Sequence, residues 1–264
     1  MPAQALAAVA TLLSFAPHGN RVEMVLDRGS AEVVWSSART FRFRRALDGP
    51  LPAVQAATAE PVAIQVDDTP GGLRMRSPLL EVTIDKHGLL VRVKGPDGAA
   101  LLTDLSEPKP DGAGVTWDRQ APAGVRFYGL GPRADLAFDL RGKSVQAEIP
   151  FLLSTSGYGE FHMGDGQFHF DFTGDYRYRI QVPRVDYCFY YGPSPKQIFE
   201  ARKDGPTMAL LPIRQAPGTW ETLRSELLGL VQGAMSGNLD PSFDLSAYDQ
   251  AAPELQQQIG RAHV

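Results

Sequence analysis

Short apolar runs punctuated by Gly, Pro, Asp and Ser recur through the first three quarters of the chain, and many of them alternate apolar with polar side chains. Alternation with period two is the mark of half-buried strands. The pattern predicts strands at Val22–Leu26, Glu32–Trp35 and Thr40–Arg45, then a Pro- and Ala-rich loop over Asp48–Pro61. Leu79–Asp85 and Leu89–Lys94, joined by Lys-His-Gly, read as a hairpin followed by a Pro-Asp-Gly turn at Pro96–Gly98. Gly supplies positive φ and Pro presets φ for such turns. Pro108–Gly114 reads as another loop. Aromatic and β-branched density peaks over Gln146–Tyr191. There Phe168, Phe170 and Phe172 share one strand face, with His169 and Asp171 on the other. A four-residue loop at Gly164–Gln167 would set Met163 opposite Phe168, Phe161 opposite Phe170, and His162 opposite His169 on the outer face. After Gly205 the period changes. Thr219 is placed as an N-cap, and Trp220, Leu223, Leu227, Leu230, Val231 and Ala234 follow at helical spacing. This predicts an amphipathic helix of about sixteen residues, ending at Ser236–Asn238.

Composition narrows the class. The 264 residues include 26 Gly and 21 Pro, with 43% hydrophobic and 21% charged residues, enough for a packed core and too apolar for a disordered polyelectrolyte. A net charge of −4 argues against nucleic acid as the main partner. No apolar run is long enough for a membrane helix. The single cysteine, Cys188, excludes an intrachain disulfide framework or a Cys-based zinc site, and favours a cytoplasmic over a periplasmic or secreted location. The apolar run Ala5–Phe15 lacks the basic flank of a secretory signal and reads as a first buried strand.

Several motifs then point to a known family. Phe127-Tyr-Gly-Leu-Gly131, Asp139-Leu-Arg-Gly142 and the run from Pro150 through Gly157-Tyr-Gly-Glu-Phe161 occur in the order found in glycoside hydrolase family 31. So do Phe170-Asp-Phe172 and Val185-Asp-Tyr-Cys-Phe-Tyr-Tyr-Gly-Pro-Ser-Pro-Lys-Gln-Ile198. Over Val22–Arg202 the chain resembles the N-terminal domain of that α-glucosidase and α-xylosidase family. Pro132 departs from the pattern, which has Glu there. The resemblance implies an all-β fold, a galactose-mutarotase-like β-sandwich of the supersandwich type, packed in intact enzymes on a (β/α)8 barrel. It implies a parent that hydrolyses α-glycosides with retention. Gly157, Tyr158 and Gly159 suit a bend where the backbone passes close to another segment, read either as a tight turn without a ligand or as a loop that helps to shape the substrate pocket of the neighbouring barrel.

The resemblance also shows what to look for and not find. Family 31 uses two Asp residues on barrel strands, one in a tryptophan-led segment ending in Asn-Glu; Trp35, Trp117 and Trp220 all lack that pair. A (β/α)8 barrel takes at least about 200 residues, and only about 60 follow Gly205. Gly218–Arg224 with the following helix resembles a late-barrel segment, but the acid/base Asp is replaced near Gln215. The helix is either such a remnant, joined through a deletion around Pro206–Pro217, or a helix packed on the sandwich. Ile259–Val264, after Gln258, can be translated from a widely used sequencing adapter whose next codon is a stop, so His263 is not taken as a ligand. The expected organisation is a sandwich over 1–205, a linker and helix over 206–258, and an adapter-derived tail over 259–264.

Other constellations compete. His162, Asp165 and His169 gather on one expected hairpin, where a solvated or sugar-facing surface is favoured over a metal site. His162 or His169 with Glu148 or Glu160 would imitate the acid and base of an aldose mutarotase. Tyr187, Tyr190 and Tyr191 read as strand packing, and Asp186 as an edge-strand charge or a contact to a partner domain. No cofactor or metal is expected, and no catalytic residue is assigned. The expected partners are α-glycosides, through the parent enzyme, and the missing barrel; the alternative to a glycosidase fragment is a non-catalytic carbohydrate-binding or interaction module.

Overall fold

The computed structural model describes residues 9–53, 62–112, 114–131 and 138–203, all in the first of the two units into which the chain divides, Met1–Leu210. The predicted helix after Thr219, Gln215, Pro132, the Pro206–Pro217 junction and the tail Ile259–Val264 lie outside the described residues. In chain order the strands are β1 (Leu12–His18), β2 (Arg21–Leu26), β3 (Ser30–Ser37), β4 (Thr40–Ala46), β5 (Gln65–Asp68), β6 (Gly72–Arg76), β7 (Glu81–Asp85), β8 (Val91–Lys94) and β9 (Ala100–Thr103). They continue as β10 (Lys109–Asp111), β11 (Gly114–Gln120), β12 (Phe127–Gly129), β13 (Ser144–Ala147), β14 (Phe151–Ser154), β15 (Tyr158–His162), β16 (Phe168–Asp171), β17 (Arg177–Val182) and β18 (Val185–Tyr191). One helix follows, α1 (Pro195–Lys203). The all-β expectation holds.

Three antiparallel sheets form two layers. A large sheet runs β1-β2-β3-β4-β18-β15-β14-β12. Facing it are the meander β5-β6-β7-β8-β9 and a second five-stranded sheet, β10-β11-β17-β16-β13. These two are joined by an isolated bridge between Asp104 and Arg119 and by a hydrogen bond from Leu105 N to Asp118 O of 2.9 Å. One cluster of buried apolar side chains, including Trp35, Phe41, Val82, Val91, Trp117, Phe170 and Ile180, fills the space between the layers. Strand alternation produces this directly. In β17 the burial of Tyr178, Ile180 and Val182 alternates with exposure of Arg177, Arg179 and Gln181.

The structure corrects four expectations. β15 does not pair with β16: it lies between β14 and β18, whereas β16 pairs with β13 and β17. Residues 163–167 are therefore a crossover between layers, and His162 stands opposite Tyr187 with its ring fully buried. The loop expected at Pro108–Gly114 contains β10, a short exposed edge strand paired with β11. The described part of the N-terminal run leads into β1, an edge strand, with Ala10 and Leu12 buried but Leu13 64% exposed. The Gly-Pro-Ser-Pro turn opens into α1. Ser194 caps it, accepting from Gln197 N at 3.4 Å and donating to Gln197 Oε1 at 2.8 Å, with Pro195 in the first helical position.

Candidate functional site

Along β11 the alternation that buries Val115 and Trp117 also turns Arg119 inward, leaving it 1% exposed. Its guanidinium sits where all three sheets meet. Nε donates to Asp104 Oδ1 at 2.7 Å, beside β9, and Nη1 donates to Glu160 Oε2 on β15. The cation lies over the Tyr187 ring at 4.6 Å and the Trp117 ring at 5.4 Å. Tyr178 donates to Glu160 Oε1 at 3.2 Å and lies 3.4 Å from the Tyr158 hydroxyl. Val91 N donates to the second oxygen of Asp104 at 3.0 Å. His162 Nε2 stands 3.7 Å from Glu160 Oε1, with its ring among Trp117, Phe170 and Tyr187.

The electrostatics follow from this seclusion. Burial disfavours the charged form of Glu160, but the Arg119 charge, aided by His162, overcomes it and holds the carboxyl at about 2. For Asp104 burial wins over the attraction of Arg119, and its carboxyl is raised. Burial also pushes the Tyr178 and Tyr187 phenols well up. Arg119 Nη2, both ring nitrogens of His162, the Tyr187 hydroxyl and Trp117 Nε1 have no hydrogen-bond partner. A retaining glycosidase pair must meet its substrate from two carboxylates about 5–5.5 Å apart. Asp104 and Glu160 instead share one arginine in a sealed interior, so this cluster ties sheets together and offers no site for attack on a sugar. The same sealing removes Glu160 and His162 as an acid–base pair open to substrate.

Gly157, Tyr158 and Gly159 occupy the β14–β15 turn and the start of β15. Gly157 O accepts from Gly192 N at 3.0 Å, tying the turn to the segment that leads into α1. Tyr158 points into the core at 2% exposure. Gly159 lies under the helix: a Cβ there would stand 2.7 Å from Ile198 Cγ2. The Phe127–Gly131 motif ends in three successive residues with positive φ, Gly129, Leu130 and Gly131. A buried non-glycine residue in that region costs of order 1–3 kcal/mol, and Leu130 is held there by its N–H to Phe151 O at 2.9 Å.

The residues weighed as a metal cluster are not brought together. His162 is inside the sandwich, Asp165 is exposed on the crossover, and His169 is half-buried on the outer face of β16, 2.9 Å from Ser144 Oγ. Among the described residues no group of three His, Cys, Asp or Glu is arranged for a metal ion. Glu148 is exposed, beside Gly131. Tyr187 and Tyr190 are buried in β18. Asp186 is neither an edge charge nor free to reach outward: it is buried on a central strand and gripped by Arg42 through Nε at 2.8 Å and Nη2 at 2.9 Å. Among the described residues, no helix is long and apolar enough to cross a membrane. Sequence reasoning missed Arg119 and Asp104, although the parity of Arg119 with Val115 and Trp117 was a signal.

An all-β double-layer sandwich with an ionic lock at its three-sheet junction is thus the class of molecule defined here. The same fold occurs in solved structures. A glycoside hydrolase family 31 dextranase of Flavobacterium johnsoniae, complexed with isomaltotriose, matches with a TM-score of 0.65 and 17% identity, over 73% of this chain and 28% of that one. The cycloalternan-forming enzyme of Listeria monocytogenes, in complex with a pentasaccharide substrate, matches at 0.59 and 18%, over 75% and 22%. A family 31 α-xylosidase from a soil metagenome, complexed with xylose, matches at 0.58 and 15%, over 70% and 33%. The chain therefore corresponds to between 22% and 33% of these enzymes' lengths. No protein-family model matches the chain, and no curated protein does.

Proposed function

We propose that residues 1–205 form the N-terminal β-sandwich of a retaining α-glycosidase of family 31, whose substrates are terminal α-linked glucosides or related O-glycosides. The supporting observation is the fold, shared with three enzymes whose names or bound ligands are those of α-glycan and xyloside chemistry, together with the ordered motifs from Phe127 to Ile198. In this reading residues 206–258 are a linker and a helix derived from the late barrel, and 259–264 are adapter-derived. The turn at Gly157, with Tyr158 and Gly159 behind it, borders the catalytic barrel and helps to shape its substrate pocket. The 264-residue chain is itself inactive, because the two catalytic Asp residues belong to the barrel.

Incubation of the purified chain with p-nitrophenyl α-glucoside and α-xyloside tests the inactivity, and no nitrophenol above the buffer rate is expected. Measurable release would overturn it. The parentage is tested separately by the genomic DNA flanking codons 206–258, which is expected to encode a barrel carrying both Asp residues.

A further inference from the structure

A second place in the molecule has the chemistry of a binding site and plays no part in the ionic lock. At the crossover end of the β10-β11-β17-β16-β13 sheet lies a cleft of about 460 Å³, within the roughly 300–1,000 Å³ range of small-molecule sites. Its outward-facing side chains form a row: Gln146 stands directly opposite His169, and His169 directly opposite Gln181. Neighbours of this kind are about 5 Å apart, so the row extends about 10 Å across three strands. Gln181 Nε2 donates to Asp111 Oδ2 at 3.1 Å, which fixes the amide so that its oxygen remains available as an acceptor. Asp165 also lines the cleft.

The wall carrying Asp165 is shaped by two glycines. Gly164 and Gly166, on either side of it, have φ of 154° and 143°, a backbone region that L side chains rarely adopt. A Cβ on Gly166 would lie 3.0 Å from Pro183 Cγ, and one on Gly164 would lie 3.1 Å from Pro183 Cβ. The crossover thus lies close against Pro183, with Asp165 among the residues that line the cleft.

The lining selects the ligand class. No Lys or Arg lines the cleft, so an anion would find carboxylates without a counter-charge. The lining sets amides, an imidazole and carboxylates beside the apolar surface of Val182 and Pro183, the mixture that the hydroxyls and C–H faces of a sugar ring present in turn. Amides both donate and accept, and carboxylates accept in pairs. That combination fits the vicinal hydroxyls of a neutral sugar. We infer that the cleft between Gln146, His169, Gln181 and the Asp165 loop is a carbohydrate-binding site on the sandwich itself, separate from any catalytic pocket of a parent enzyme. It stands independently of the catalytic reading, since a chain inert toward α-glucosides would still bind there.

Titration of the isotope-labelled full chain with isomaltotriose and with xylose, followed by amide chemical shifts, tests the site. Saturable shifts at Gly112, Gly114, Gly166 and Gln181 are expected at millimolar sugar. Gln181→Ala and His169→Ala replace side chains on the outer face and should leave thermal unfolding unchanged, while each weakens binding by about tenfold. Gln65→Ala, on the meander, is the control and should bind as the parent chain does. The inference is overturned by the absence of shifts up to 50 mM of either sugar, or by shifts centred outside the cleft. It is equally overturned if the two cleft variants bind as tightly as the parent.

Discussion

Arg119 is the cation shared by two buried carboxylates, Asp104 and Glu160. Removing one partner of a buried ion pair leaves the other uncompensated, typically at a cost of 3–5 kcal/mol; here two carboxylates lose their cation. Arg119→Met should therefore lower the urea midpoint by an amount equivalent to at least about 3 kcal/mol. The Tyr187 hydroxyl, buried without a partner, makes the opposite case. Tyr187→Phe keeps the ring under the guanidinium and deletes only an unsatisfied donor, so stability should stay level or rise by up to about 1 kcal/mol. A clear loss in urea unfolding would show that the hydroxyl is bonded in solution. The pH dependence follows from the depressed Glu160 carboxyl. A carboxyl held at about 2 in the folded chain, against an ordinary 4.5, contributes stability that is complete above pH 4.5. That stability is lost as pH falls towards 2. Asp104, raised by burial, acts with the opposite sign: its contribution is complete below the ordinary 3.8 and is lost as pH rises from there through its raised folded value. Glu160→Gln should remove the acid-side loss, and urea titrations between pH 2 and 5 measure it.

At the level of elements, local signals were read well and long-range ones were not. The hairpin of β7 and β8 follows from two alternating runs and a Gly-containing turn, all within a short span. The pairing of β18 with β4 joins residues on average far apart in sequence, such as Asp186 and Arg44, and nothing local specifies it. The Gly164–Gln167 segment has the length and composition of a hairpin loop, and local pattern alone predicts one there. Its actual role depends on which layer receives β16, a matter of tertiary packing. β10 was missed because Pro110 and Asp111 suit an edge strand, where missing donors and charges are tolerated. Helix α1 depends on one close approach. Its Ile198 rests on Gly159, Phe199 lies 5.7 Å from Phe151, and Arg202 covers the Phe151 ring at 4.4 Å. Gly159→Ala should push the helix away and destabilise the chain by about 1–3 kcal/mol. Ile198→Ala creates room at the same point, so the double variant should be more stable than the two single losses predict. Strict additivity in thermal unfolding would contradict this packing.

At the scale of the whole molecule, the two smaller sheets behave as one layer only because the Asp104–Arg119 bridge and the shared core join them. The sequence shows a sandwich through its alternation and turn spacing. It does not show how many sheets form each layer, because the junction is one isolated bridge and a few hydrogen bonds between Asp104–Ser106 and Asp118–Arg119. If the lock unites the layers, the described unit should unfold in one cooperative step. Trp35 reports from the large sheet and Trp117 from the opposite one, both fully buried. Trp220 lies outside the described residues and is replaced by Phe so that fluorescence reports on the other two. Single-tryptophan versions of that chain, retaining either Trp35 or Trp117, should then give coincident urea transitions. In an Asp104→Asn background the meander loses its charged tie to Arg119, while Arg119 keeps Glu160 and with it the attachment of the β11 sheet to the large sheet. Hydrogen exchange should then rise first in β5–β9, with protection in β11, β16 and β17 retained. Uniform loss of protection across all three sheets would mean that the shared apolar core, and not the ionic lock, holds the meander in place.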